Sequence, residues 1–133
     1  MNNKLSFGFI GVGQAGNKIV DNFADNFPVI AINTARQDLN ALKNVEEDRR
    51  IFTQINEGGG AGKEIQLGNR AIKKYSEEIS DTINTVFKDV DYIFTVAGLG
   101  GGSGTLGLTQ ISRLLAGLGR KQGILATIPN KSE

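Results

Sequence analysis

Three glycine-rich segments hold the residues of this chain whose types and spacing could do chemistry. The first, Gly11-Val12-Gly13-Gln14-Ala15-Gly16, fits G-x-G-x-x-G and lies between a short apolar run and a helical pattern. In that setting backbone N–H groups and the positive end of a helix dipole can hold a phosphate. Glycine suits the position because a Cβ would block the approach. The second segment, Gly98-Leu99-Gly100-Gly101-Gly102-Ser103-Gly104-Thr105-Leu106-Gly107, is glycine at six of its ten positions and carries two hydroxyls where a helix would begin. A flexible surface turn rarely needs so many bare positions together with hydroxyls at a helix start. The pair of loops predicts one polyphosphate gripped from two strand ends. The third cluster, Gly58 to Gly62, also precedes a helical pattern, and reads either as a further approach to a terminal phosphate or as a mobile linker.

Other chemistries are narrowed by what surrounds these loops. The first motif alone suggests a dinucleotide-binding unit, but that reading wants an acidic residue at the end of the second strand to hold a ribose, and Asn33-Thr34 stands there. No G-x-x-x-x-G-K-[ST] is present, and Gly62-Lys63-Glu64 lacks the hydroxyl that such a loop offers to magnesium. With no cysteine and no histidine, disulfides, thiolate chemistry, most zinc sites and an imidazole base are excluded, so any metal must be held by oxygen. A net charge of +1, from 15 basic and 14 acidic residues, supplies no field that would draw the chain onto nucleic acid or an anionic membrane. Lys43, Arg49, Arg50, Lys73 and Lys74 are interspersed with Asn44, Glu46, Glu47, Asp48, Glu77 and Glu78, the pattern of solvated helix faces. No apolar run approaches the roughly 20 residues that a membrane-spanning helix needs, and Met1-Asn2-Asn3-Lys4 leads into a strand pattern, so the expected location is the cytoplasm.

The elements that must position the loops follow from periodicity. At 133 residues, 39% hydrophobic and 22% charged with two prolines, the chain reads as one folded unit with one core over 1–133. Leu5 to Ile10 predicts a first strand, and Ile19, Val20, Phe23 and Phe27 give Asn17 to Phe27 a helical face. Val29 to Ile32 predicts a second strand, residues 38–42 a short helical piece and Ile51 to Thr53 a brief third strand. Ala71, Ile72, Tyr75, Ile79, Ile83 and Phe87 mark one face of a long helix. Tyr92 to Ala97 predicts a strand, Leu108 to Leu118 a helix with Ile111, Leu114 and Leu115 inward, and Gly123 to Ile128 a last strand. Alternation of strand and helix, with no repeat and no linker, predicts an α/β fold: a Rossmann-like parallel sheet with helices on both faces and ligands beyond the carboxyl ends of the strands.

On these residues the chain resembles the tubulin/FtsZ family of GTPases. Gly13-Gln14-Ala15-Gly16-Asn17 is similar to the first nucleotide loop of tubulins, and Gly100-Gly101-Gly102-Ser103-Gly104-Thr105 resembles the family signature G-G-G-T-G-T-G. Ala31-Ile32-Asn33-Thr34 looks like the family's A-x-N-T segment, Gly60-Ala61-Gly62 like its γ-phosphate loop, and Pro129 to Glu133 like the segment after its fifth strand. The resemblance implies a GTP/GDP site in which Gln14, Ala15, Gly16 and Asn17 contact phosphates and base edge. Gly102, Ser103 and Gly104 would wrap the α and β phosphates, and Ala61 and Gly62 would sit beside the γ phosphate. Asn33 joins the site in this reading, Glu133 aligns with the ribose-binding glutamate, and Mg2+ is held through phosphate oxygens and water. Three departures stand out: Ala35 where the division protein has aspartate, Leu106 where the signature expects glycine, and Ser103 in place of threonine. By resemblance, these departures imply a divergent branch nearer the plasmid and phage tubulins of the TubZ type than the division protein.

The same resemblance implies absences. Family members continue into a guanine-clamping segment, a long central helix, a catalytic acidic loop and a second domain, so residues 1–133 are expected to form a partial GTP-binding domain without appreciable hydrolysis. The implied role is cytomotive or cytoskeletal: head-to-tail self-association of the parent protein into filaments that position DNA or act in cell division, with DNA reached through an adaptor protein rather than directly. Two alternatives predict different behaviour. A dinucleotide-binding Rossmann enzyme would bind NAD, and an interaction module acting through its surface would associate through exposed apolar patches whatever the nucleotide.

Overall fold

The computed structural model describes residues 4–53, 75–98 and 102–128, with side chains from 107 onward in the last stretch. Five strands carry the fold: β1 (Phe7–Val12), β2 (Val29–Asn33), β3 (Arg50–Phe52), β4 (Tyr92–Gly98) and β5 (Gln122–Thr127). Each pairs in parallel with its neighbours in the order β3-β2-β1-β4-β5. β2, Val-Ile-Ala-Ile-Asn, is buried at every position, as expected of a strand covered on both faces.

Helices cover the two faces by alternation along the strands. Phe9, Val29, Ala31 and Val96 point to one face, where they meet Val20 of α1 (Gly13–Phe23) and Leu39 of α2 (Arg36–Asn40), with Leu42 and Val45 just beyond it. Ile10, Val12, Ile30, Ile32, Ile93 and Ala97 point to the other, against Ile79 and Ile83 of α3 (Ser76–Val86), Phe87 after it, and Ile111 and Leu115 of α4 (Gly102–Gly117). Phe9 anchors an aromatic group on the α1 side, with ring centroids 4.9 Å from Phe23 and 5.7 Å from Phe94. Such pairs add to the burial of their area because ring edge and ring face carry opposite partial charge.

The expected elements are present with shifted ends. α1 begins at Gly13, four residues before the periodic apolar pattern does, because its first turn is glycine-rich and packs through backbone. The second glycine segment, expected to be loop as far as Gly107, is helical from Gly102. Glycine disfavours helix by about 1 kcal/mol against alanine. Tertiary packing offsets this at Gly107, which is buried so close to Val12 that any Cβ would overlap Cγ1 of that valine. Ala71 and Ile72 lie outside the described residues, whereas Tyr75 packs on the core as the pattern predicted. β5 is an edge strand, and Ile124, Leu125 and the following Ile128 are exposed by 53%, 42% and 77%, an apolar edge of the kind foreseen.

Candidate functional site

Strand order reverses between β1 and β4, since β2 and β3 extend the sheet to one side of β1 while β4 and β5 extend it to the other. At such a switch the connections leave toward opposite faces and open a crevice beyond the carboxyl ends of the strands. Both glycine segments leave the sheet here. Val12 is in register with Ala97, so Gly13 and Gly98 follow at the same level on adjacent strands.

The first loop is shaped by backbone contact. Gly13 has φ of 76°, a conformation that side chains disfavour, and it turns the chain directly from β1 into α1. Gly16 lies on the sheet so closely that a Cβ would overlap the carbonyl oxygen of Val96 in β4. α1 therefore starts in contact with the strand that feeds the second loop. A Cβ on Gly98 would stand 2.9 Å from Cβ of Ala15, so bare backbone is what lets the two loops touch. Val12, at the N-cap of α1, makes no side-chain cap, and the first turn contains no acidic residue. Unpaired N–H groups at the positive end of a helix, free of competing carboxylates, suit an anion. Gln14 and Ala15 are exposed in that turn, and Gly16 is buried behind them.

Two asparagines stand behind the loop. Asn17 is 1% exposed, and its Nδ2 donates to the carbonyls of Gly11 at 2.9 Å and Ile32 at 3.1 Å. Its Oδ1 accepts from Nδ2 of Asn33 at 2.8 Å. Asn33 in turn accepts the Ala35 N–H through Oδ1 at 2.9 Å and donates to Asp38 Oδ2 at 3.4 Å. The backbone N–H of Thr53 donates to the Asn33 carbonyl at 3.0 Å. Asn33 occupies the position where a dinucleotide site needs a free acid, and its amide faces inward.

A groove of about 420 Å³ opens between α1 and α2, lined by Gln14, Lys18, Asp21, Asp38 and Lys43 among others. Lys18 and Asp21 were not picked out from sequence, although they lie four and seven residues from Gln14 and so share its helix face. Asp21 has a structural task. Its carboxylate accepts the backbone N–H groups of Asn44 at 2.8 Å, Val45 at 3.0 Å and Lys43 at 3.1 Å, tying the α2 connection to α1. Partial burial alone would raise the Asp21 pKa, but the N–H groups of Asn44, Lys43 and Val45 and the charge of Arg50 outweigh it and hold the pKa below the usual 3.8. A folded-state pKa below the unfolded one contributes stability above the unfolded value, lost as pH falls through the folded value. Asp21→Asn is therefore expected to be less stable than the parent at pH 7, with the gap closing below about pH 3.8 in urea titrations run at several pH values; a constant gap would rule out the carboxylate charge as the cause.

The structure thus brings Gly13, Gln14, Ala15, Gly16, Asn17 and Asn33 to one end of the sheet, beside the Gly102-Ser103-Gly104-Thr105 backbone that opens α4. Gly100, Gly101, Ala61, Gly62 and Glu133 lie outside the described residues. Among the described residues, no group of three or more Asp, Glu, His or Cys side chains is placed to hold a metal ion, and no helix is long and apolar enough to cross a membrane.

Known proteins resemble the chain in sequence and in fold. The model of the Tubulin/FtsZ family, GTPase domain, matches residues 7–133. The tubulin-like protein CetZ of Pyrococcus abyssi is 39% identical over 111 residues, covering 80% of this chain and 30% of that protein. The tubulin-like protein TubZ of Bacillus cereus is 33% identical over 144 residues, covering 99% of this chain and 33% of that protein. Among solved structures, the helical model of the TubZ-Bt four-stranded filament superposes with a TM-score of 0.77 at 25% identity, over 95% of this chain and 36% of that one. The chain spans about a third of the length of the curated relatives it matches.

Proposed function

Because this chain belongs to the tubulin/FtsZ family, within its GTPase domain, we propose that its two glycine loops hold the polyphosphate of GTP or GDP in a filament-forming protein. One observation carries the reading: the two loops leave adjacent parallel strands at the same level and touch at Ala15 and Gly98. A single phosphate needs only one helix N-terminus, whereas two that follow adjacent strand ends suit a chain of phosphates. Gly13, Gln14, Ala15 and Gly16 supply the first wall, and Gly100, Gly101, Gly102, Ser103, Gly104 and Thr105 the second. Ala61 and Gly62 are assigned to the terminal phosphate and Glu133 to the ribose, on their family resemblance. Mg2+ would enter with the nucleotide, on phosphate oxygens and water, the hard ligands it prefers.

The relatives named for tubulin-like proteins and for a filament support self-association in the parent protein. Head-to-tail contact, DNA positioning through an adaptor, a role in cell division and a cytoplasmic location belong to the same proposal. Binding by residues 1–133 alone is expected to be weak and turnover negligible, because phosphoryl transfer depends on positioned groups and the relatives are about three times as long.

Equilibrium displacement of a fluorescent GTP analogue in the presence of magnesium tests the reading. GTP and GDP are expected to displace the probe at concentrations where ATP and NAD do not. Displacement by NAD would assign the first loop to a dinucleotide, and no binding at millimolar nucleotide would overturn the proposal for this chain.

A further inference from the structure

Resting on the nucleotide-site reading above, we propose that Asn17 and Asn33 are positioning residues and not nucleotide ligands: a buried amide pair that locks the first phosphate loop onto the ends of β1 and β2. The argument is one of hydrogen-bond capacity. An asparagine side chain offers two N–H donors and one carbonyl oxygen. Asn17 spends both donors on the carbonyls of Gly11 and Ile32, and its oxygen faces Asn33. With a residue exposure of 1%, the amide could donate to a ligand only by giving up bonds it already makes, and only the second lone pair of its oxygen is uncommitted.

The direction of each bond is forced. Gly11 and Ile32 present carbonyls, which only accept, so Asn17 must turn its nitrogen toward them and its oxygen toward Asn33. Position 33 must then donate to Asn17 while accepting the N–H of Ala35 on its other side. The amide of Asn33 does both. Through the Asn33 carbonyl, which takes the Thr53 N–H at 3.0 Å, the pair also reaches the end of β3. One polar chain, Thr53 to Asn33 to Asn17 to Gly11, thereby sets three strand ends and the start of α1 at a common level. Gly11 is the first residue of the loop, so the amide pair fixes where the N–H groups of Gly13 to Gly16 point.

Asn33→Asp breaks the link together with the longer bond to Asp38 Oδ2, and Asp38→Ala, which removes the second bond alone and is expected to leave both readouts unchanged, separates the two. A carboxylate at 33 still accepts from Ala35, but it cannot donate to Asn17. Two readouts follow on the chain as it stands. Amide hydrogen exchange of residues 16–20, the first N–H groups of α1 with an acceptor inside the helix, compared with residues 29–32 in β2, is expected to quicken about ten-fold at the helix start and stay constant in the strand, the scale of one hydrogen bond. In NMR spectra the slowly exchanging Asn17 side-chain amide pair should lose its protection. The second readout is affinity for GTP, GDP and ITP, which should fall by a common factor of about ten in Asn33→Asp and in Asn17→Ala. ITP is the informative probe, since it lacks the 2-amino group that the one remaining acceptor of Asn17 could take. Unchanged exchange of residues 16–20 in Asn33→Asp overturns the proposal, and so does a GTP-to-ITP ratio altered by Asn17→Ala, which would make Asn17 a base ligand. Should the parent chain bind no nucleotide, the function proposed above falls, while the exchange comparison still decides the role of the pair.

Discussion

Gly16→Ala is expected to lower the unfolding free energy by about 3 kcal/mol, the upper range for an overpacked site. The added methyl would overlap the carbonyl oxygen of Val96 and press on the backbone of Gly11, and neither can move aside as a flexible side chain could. Relief requires α1 to lift from β4, which would also carry Ala15 away from Gly98 and part the two loops. Nucleotide affinity should therefore fall with stability. Gly117→Ala supplies the contrast, because a Cβ there meets nothing within 4 Å and the position ends α4. It is expected to be neutral or to stabilise by about 0.5 kcal/mol through reduced chain entropy. Urea denaturation midpoints of the two variants check both results; equal midpoints would mean that α1 does not rest on the sheet as described.

Phe87→Ala is expected to cost about 3–5 kcal/mol, as truncation of a buried ring does. Phe87 is fully buried just after α3, and its ring covers Gly8 of β1. A Cβ on Gly8 would stand 2.6 Å from two ring atoms, so Gly8→Ala should destabilise by about 1–3 kcal/mol in the parent background. The two changes share one space, and the double variant should be more stable than the sum of the singles implies. A double-mutant cycle in urea measures the coupling, and strict additivity would show that the ring and Gly8 are not packed on each other. This contact matters to the site because β1 delivers the first loop and Phe87 seats that strand on the α3 side of the core.

Much of the scaffold was legible in local pattern. Short apolar runs marked every described strand, with ends displaced by at most two residues. Of the three residues of α4 expected inward, Ile111 and Leu115 are fully buried and Leu114 is half-buried against the same core. Less legible were the helix starts. Gly13 to Gly16 and Gly102 to Gly107 carry little apolar periodicity, and their helical state depends on close packing against Val96 and Val12. Asp21 was likewise invisible as a tie, since nothing in its neighbours announces that three backbone N–H groups from residues 43–45 will converge on it.

By itself the sequence determined that this chain alternates strand and helix, and that phosphate-type loops follow two of its strands, because periodicity and missing side chains are properties of neighbouring residues. Tertiary structure decided that those loops meet. β1 and β4 are separated by some eighty residues and become adjacent only where the strand order reverses, a choice made by which faces of the sheet the helices bury. It also decided the hydrogen-bond partners of Asn17 and Asn33. An asparagine reads equally as ligand or strut until its donors are traced, and here those of Asn17 run to the buried carbonyls of Gly11 and Ile32 and those of Asn33 to Asn17 and Asp38.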